Sequence, residues 1–113
     1  DIRDRWTDAL RGGWYEQTTG RLAGGTHGVT EFCCLGVLCD LHSAETGEQW
    51  NGDTYFLENH TLPTTVLKWA GLPPDYQTVE IALRVDNGTT TLACLNDDGH
   101  SFAIIANIIE EEL

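Results

Sequence analysis

Three of the four cysteines lie within one short apolar run. Cys33, Cys34 and Cys39 fall in residues 32–41, and the four histidines of the chain could act as bases. A thiol in the first turn of a helix, with a histidine as its base, is the arrangement of a cysteine-dependent hydrolase. The apolar neighbours of these thiols predict burial instead, and burial raises a thiol pKa. We therefore expect reduced cysteines that pack in the core, and the hydrolase remains an alternative function.

A metal site is the second chemistry that this region could support. Cys39 and His42 are three residues apart and could present two ligands on one helical face. A structural metal site needs a second pair at similar spacing, and the sequence contains none. We therefore expect no metal and no other cofactor.

A phosphate-binding loop is a further candidate. The glycine-rich residues 24–28 come soon after Arg21, and their backbone N–H groups could surround a phosphate, although the lysine and spacing of a P-loop are missing. Several aromatic residues lie outside the clear helical stripes, so they either complete the core or form a stacking pocket. For a small phosphate-bearing ligand the predicted binding residues are Gln17, Arg21, Trp50 and Tyr55.

Four helices are predicted to position these groups, because apolar residues recur at helical spacing between capping residues. They are an opening helix that ends at Gly12, a central helix over residues 31–46 with Thr30 as its cap and Gly47 as its stop, a third helix from Pro63 to Gly71, and a last helix that starts at Ser101.

The predicted strands are short. Residues 14–17 and 21–23 favour a hairpin, residues 49–57 a short strand or an ordered loop, residues 79–85 a half-buried strand, and residues 89–95 a strand that turns into a helix. These elements predict an α+β fold in which residues 1–113 form a single compact domain. A small, mostly antiparallel sheet packs on the apolar central helix, with three further helices around it.

The charge of the chain limits its partners. Eighteen acidic residues against six basic ones give a net charge of −12, which repels duplex nucleic acid. The spacing of apolar residues and glycine in residues 92–106 is typical of a helix-turn-helix. The last helix, however, carries Glu110, Glu111 and Glu112 and no basic residue, so it could not neutralise DNA phosphates. We favour a helical hairpin used for packing, with a helix-turn-helix regulator as a third possibility. The acidity either keeps the protein soluble or presents a negative face to a basic partner.

Targeting signals are missing from the sequence. It shows no signal segment and no apolar run long enough to cross a bilayer. We therefore expect a cytoplasmic protein without a membrane partner.

Five motifs carry a resemblance to a known group of proteins. They occur in consistent order along the chain: WxxAL at residues 6–10, GxYxQ at residues 13–17, CCLGVLCD at residues 33–40, WAGL at residues 69–72 and LNDxGxSFxxIA at residues 95–106. Together they resemble a family of small accessory proteins of bacteriophages and prophages. The resemblance implies a protein of the host bacterial cytoplasm, and the family has no established activity to transfer.

These observations favour a non-enzymatic binding protein. With a phage-like origin, the small size and acidity suggest a counter-defence inhibitor. It would either sequester a small nucleotide-type signal or block a host protein, and it could form a homo-oligomer.

Overall fold

Five helices and two small sheets make up the described part of the chain, which covers residues 1–25, 30–72, 82–85 and 88–112 in a computed structural model. In chain order they are α1 (Ile2–Arg11), β1 (Glu16–Gln17), β2 (Ala23–Gly24), β3 (Glu31–Phe32), α2 (Cys34–Thr46), α3 (Thr64–Ala70), β4 (Ala82–Val85), β5 (Gly88–Thr91), α4 (Leu92–Asp97) and α5 (Phe102–Glu112). The predicted α+β class is confirmed, with four helices around α2 instead of three. No helix in these ranges is long and apolar enough to cross a membrane.

Helix α2 is the centre of the core. Every residue from Cys34 to Cys39 is buried, as the apolar run predicts. The predicted end is confirmed, because Gly47 follows the helix with a φ of 83°, a left-handed conformation that glycine adopts readily. A Cβ atom at Gly36 would lie 1.9 Å from the carbonyl oxygen of Leu22. The chain before β2 therefore crosses the helix at a point where only glycine fits.

The start of α2 differs from the prediction. Thr30 is not the cap, because Glu31 and Phe32 form strand β3 and the helix begins after Cys33. The Sγ atom of Cys33 accepts a hydrogen bond from the N–H of Gly36 at 3.4 Å, which satisfies one of the free N–H groups of the first turn. A thiol thus takes the position that serine or aspartate usually occupies.

Strand β3 is the middle strand of a three-stranded mixed sheet with the order β1-β3-β2. It pairs in parallel with β1 and antiparallel with β2. The Cα partners are Glu16 with Glu31, Gln17 with Phe32, Ala23 with Phe32, and Gly24 with Glu31. The predicted hairpin between residues 14–17 and 21–23 is therefore wrong. Both segments pair with β3 instead, and the N–H of Thr18 also donates to the carbonyl of Phe32 at 2.8 Å.

Strands β4 and β5 form a separate antiparallel hairpin. Strand β4 covers the end of the predicted strand 79–85, and residues 79–81 lie outside the described residues. The chain passes directly from β5 into α4 at Leu92, where the Thr91 hydroxyl accepts a hydrogen bond from the N–H of Cys94 at 3.1 Å. This cap confirms the predicted change from strand to helix.

Helices α1 and α5 pack along each other at one side of the core. The buried face of α5 consists of Phe102, Ile105, Ala106 and Ile109, which recur at helical spacing. Across the exposed edge of this contact, Arg11 donates to Asn107 at 2.7 Å and to Glu110. Helix α5 is thus the packing half of a helical hairpin with α4, and its acidic end is held by α1.

Helix α3 has the boundaries that local signals predict. Pro63 precedes its first residue, and Gly71 follows its last with a φ of 75°. The N–H of Leu72 donates to the carbonyl of Leu67 at 2.9 Å, the contact that closes such a helix end. Upstream, residues 49–57 belong to an ordered loop, which was one of the two predicted outcomes.

Candidate functional site

Gln17, one of the four predicted binding residues, takes part in a hydrogen-bond network inside the protein. Its Nε2 donates to Oδ1 of Asn96 and to the carbonyl oxygen of His100, both at 2.8 Å. Asn96 is fully buried, accepts from the N–H of Cys34 at 3.2 Å and donates to the carbonyl of Thr18 at 2.7 Å. The network joins β1, α2 and α4, so Gln17 has a structural role, and its role in ligand binding stays a prediction.

Trp50 and Tyr55 lie together, with ring centroids 4.9 Å apart. Tyr55 has no exposed surface, and its hydroxyl lies 2.5 Å from Nδ1 of His42. Burial raises the pKa of Tyr55 to about 12, so its hydroxyl stays protonated. Trp50 is half-buried and donates from Nε1 to Asp40 at 3.1 Å. Both aromatic residues pack in or against the core beside α2, which was the alternative to a stacking pocket, and their role in ligand binding stays a prediction.

Arg21 is exposed, as predicted, beside the first residues of the glycine-rich segment. Its Nη1 lies 3.4 Å from Oδ2 of Asp53. Together with Gly24, Gly25 and Gly52 these two residues line an open cavity of about 380 Å³. Residues 26–28 of the predicted phosphate loop lie outside the described residues. The guanidinium therefore already has an acidic partner, and its role in binding a phosphate stays a prediction.

The cysteines have the environment of packing residues. All four are free, and only Cys94 is exposed. Burial raises the pKa of Cys33 to about 11 and holds the pKa values of Cys34 and Cys39 well above the usual range. Cys33 does share a small cavity with His60, but its Sγ serves as a helix cap. A thiol that is neutral and already hydrogen-bonded is a poor nucleophile, so this arrangement does not favour a hydrolase.

Cys39 and His42, the candidate metal ligands, are also buried in the core. Cys39 has no exposed surface, and His42 uses Nδ1 for its contact with Tyr55. Within the part of the chain that the structure describes, no three histidine, cysteine or acidic side chains come together in a way that could hold a metal ion.

A different cavity has the chemistry of a ligand site. It lies between the first turn of α1 and the last turn of α3, with a volume of about 360 Å³. That size falls in the range of small-molecule sites. Its wall includes the cations Arg3 and Lys68, the indoles of Trp6 and Trp69, and the apolar Leu72. We call it the Arg3–Lys68 cavity.

The two cations of this cavity differ from the three other cations whose side chains the structure describes. Arg5, Arg11 and Arg21 each pair with a carboxylate, from Glu45, Glu110 and Asp53 respectively. Neither Arg3 nor Lys68 makes an ion pair with any residue that the structure describes. Asp1 also lines the cavity, and its carboxylate accepts a hydrogen bond from the N–H of Asp4. In a chain with a net charge of −12, two cations without an ion pair at one cavity favour an anion there.

Trp69 is held in place at the wall of the cavity. Its Nε1 donates to Oε2 of Glu45, and the guanidinium carbon of Arg5 lies 5.7 Å from the centre of the indole ring. The ring of His42 meets it edge-on at 5.1 Å. Hydrogen bonds from Arg5 and Trp69 lower the pKa of Glu45, so this carboxylate remains charged and keeps both partners fixed. The cavity therefore has an aromatic wall held by several contacts, beside two cations that make no ion pair with a described residue.

Sequence reasoning missed this cavity. Arg3 was only one of three arginines crowded into the first segment, and Lys68 had no motif around it. Arg3 and Lys68 stand out only because the other arginines with described side chains form ion pairs. Those pairs join residues that are far apart in the sequence, so the sequence does not reveal them. Of the residues at the cavity, Trp6 and residues 69–72 had a signal, because they belong to motifs that carry the family resemblance.

Comparison with known proteins gives a family but no activity. No curated protein and no solved structure matches the chain significantly. The model of a domain of unknown function, DUF8296, matches residues 1–113. Because the match covers every residue, the chain belongs to the DUF8296 family.

Proposed function

We propose that this protein is a non-enzymatic binding protein of phage or prophage origin that sequesters a small nucleotide-type signal. It would act in the host cytoplasm as a counter-defence inhibitor, with the ligand in the Arg3–Lys68 cavity. The phage origin rests on the sequence resemblance, and the binding mode rests on the chemistry of the cavity.

The observation that carries the proposal is the pairing pattern of the cations. Arg5, Arg11 and Arg21 each have a carboxylate partner at the surface. Arg3 and Lys68 lie at the same cavity without such a partner among the described residues. A small anion between them would gain charge-assisted hydrogen bonds from both.

The aromatic wall favours a nucleotide over inorganic phosphate. Trp69 is half-buried and fixed by Glu45, so it offers a preorganised surface on which a base can stack. Stacking on an aromatic side chain contributes about 1–3 kcal/mol per base. Phosphate near Arg3 and Lys68 and a base near Trp69 would use the two halves of the cavity together.

The cysteines support a binding role over the alternative hydrolase. The thiols of the three buried cysteines, Cys33, Cys34 and Cys39, are neutral near pH 7 because burial raises their pKa values. The arrangement thus offers no activated nucleophile at these positions.

Calorimetric titration with a panel of mononucleotides, cyclic dinucleotides and inorganic phosphate tests the proposal. Mass spectrometry of the purified protein would first show whether a nucleotide copurifies. Arg3→Ala and Lys68→Ala should each weaken nucleotide binding about tenfold or more, because a charge-assisted contact contributes about 1.5–3 kcal/mol. Trp69→Leu should reduce nucleotide affinity and leave any affinity for inorganic phosphate unchanged.

Arg21→Ala is the matched control, since it removes one exposed cation from a different cavity. It should retain the affinity of the wild-type protein. A loss of affinity in Arg21→Ala alone would move the ligand to the cavity beside Gly24. Absence of any nucleotide binding would contradict sequestration and leave the blocking of a host protein as the function to test.

A further inference from the structure

A tight turn beside α2 contains residue types that rarely adopt its backbone conformation. Tyr55 and Glu58 exchange both of their backbone hydrogen bonds, at 2.9 and 3.0 Å, across a two-residue loop. Both loop residues have positive φ, 51° at Phe56 and 70° at Leu57. Such a loop normally contains asparagine and glycine, because a bulky side chain is strained in this conformation. We refer to residues 55–58 as the Tyr55–Glu58 turn.

Packing within the protein accounts for Phe56 only in part and does not account for Leu57. Phe56 contacts the rings of Tyr55 and His42, with centroids 4.9 and 5.9 Å away, and is 41 % exposed. Leu57 is 88 % exposed, so its side chain gains almost nothing from the core. A strained position that holds an exposed leucine is unfavourable for the isolated chain, and it is the kind of feature that persists where function requires it.

The surroundings of the turn are acidic. Glu58 ends the turn, and its carboxylate accepts a hydrogen bond from the hydroxyl of Thr61 at 3.0 Å. Glu48 is exposed and close enough to His42 and Tyr55 to act on both electrostatically. The apolar tip therefore projects from a negatively charged surface.

We propose that the Tyr55–Glu58 turn is a docking element that inserts Leu57 into an apolar socket on a protein surface rimmed by lysine or arginine. The strained backbone presents the leucine outward, and the neighbouring carboxylates match a basic rim. A second copy of this chain is a poorer occupant, because two chains of net charge −12 repel each other. This proposal does not rest on the Arg3–Lys68 cavity, whose lining shares no residue with the turn, although Phe56 and Trp69 both contact the ring of His42.

Selection from a display library of random peptides tests the proposal with a defined probe. The purified wild-type protein is the bait, and the selected peptides are then synthesised and titrated against it. We expect the selected peptides to combine large apolar residues with lysine or arginine, and their Kd to rise with salt. Leu57→Ala should weaken their binding about tenfold or more.

Ile104→Ala provides the matched control, since Ile104 is also an exposed apolar residue but lies in the regular helix α5. It should leave peptide binding unchanged, and so should Arg3→Ala, which separates this surface from the cavity. Selected peptides without basic residues, equal binding to Leu57→Ala, or no selected peptide would overturn the proposal. Analytical ultracentrifugation would overturn it if the wild-type protein self-associates and Leu57→Ala does not. The occupant of the turn would then be a second copy of the chain.

Discussion

The network around Asn96 and the Tyr55–Glu58 turn differ in how well their residue types suit their local structure. Asn96 is fully buried, and its amide satisfies backbone groups of Cys34 and Thr18 that would otherwise lack partners. At the turn, positive φ falls on two large apolar residues, and Leu57 is left in solvent. Folding explains the first region completely. It does not explain the second, which makes the turn the better place to look for function.

The largest expected effect is a loss of stability, and it is expected for a substitution at Gly36 in α2. Gly36→Ala would place a methyl group 1.9 Å from the carbonyl oxygen of Leu22, so backbone must move to accommodate it. We expect the free energy of unfolding to fall by more than about 3 kcal/mol, measured by urea denaturation.

Gly47→Ala is the control for this prediction. It keeps the same helix and the same substitution, but nothing lies within 4 Å of the added Cβ, and only its φ of 83° is unfavourable. A loss of about 1 kcal/mol is expected there. Equal losses for the two variants would contradict the close crossing of α2.

Asn96→Ala should be the next most damaging change. It removes both hydrogen bonds to the backbone and the contact with Gln17, and it leaves buried polar groups unsatisfied. We expect a loss of about 2–3 kcal/mol. Asn107→Ala, which removes an exposed contact with Arg11, should change stability by less than about 0.5 kcal/mol. Similar melting temperatures for the two variants would show that the network contributes little.

Alkaline pH should weaken the fold through Cys33. Burial raises the pKa of this thiol from 9.0 to about 11, so the folded state holds its proton more tightly than the unfolded state. Its stabilising contribution is complete below about pH 9 and is lost as pH rises towards 11, at no more than about 1.4 kcal/mol per pH unit. Urea denaturation of wild type and Cys33→Ser between pH 7 and about 11 measures this. Between about pH 9 and 11, the free energy of unfolding should fall more steeply with pH for the wild type than for Cys33→Ser. Parallel pH dependences would mean that burial does not shift the pKa of the Cys33 thiol.

The sequence predicted those elements whose signals are local. Helix α3 ends where Gly71 and Leu72 indicate, and the face of α5 is its apolar stripe. The start of α2 was missed because Glu31 and Phe32 pair with two strands that are close only in the folded protein. Cysteine as a helix cap is also outside the usual preferences.

The candidate site could not be predicted for a similar reason. Arg3 and Lys68 are 65 positions apart in the sequence, and only the packing of both α1 and α3 on α2 brings them to one cavity. The predicted aromatic residues Trp50 and Tyr55 instead had hydrogen-bond partners in the core, Asp40 and His42, that no spacing pattern reveals.

On the functional side, Leu57→Gly should stabilise the protein. Leu57 is 88 % exposed with a φ of 70°, so glycine relieves strain and loses almost no packing. Because glycine also makes the unfolded chain more flexible, we expect a net gain of about 0.5–1 kcal/mol. Leu57→Ala keeps the Cβ and should show no such gain. A lower melting temperature for Leu57→Gly would mean that the leucine serves the fold after all.

The smallest expected effect is that of Arg21→Ala on stability. Its partner is Asp53 at 3.4 Å, and both side chains are about half exposed, at 53 and 47 %. Exposed ion pairs of this kind contribute less than about 1 kcal/mol, because water and salt screen them. The melting temperature should therefore stay close to that of the wild type at low and at high salt. Nucleotide affinity measured on the same sample makes the variant decisive, since unchanged affinity agrees with a ligand in the Arg3–Lys68 cavity. Lost affinity at an unchanged melting temperature would instead assign the ligand to Arg21 and the glycine-lined cavity beside it.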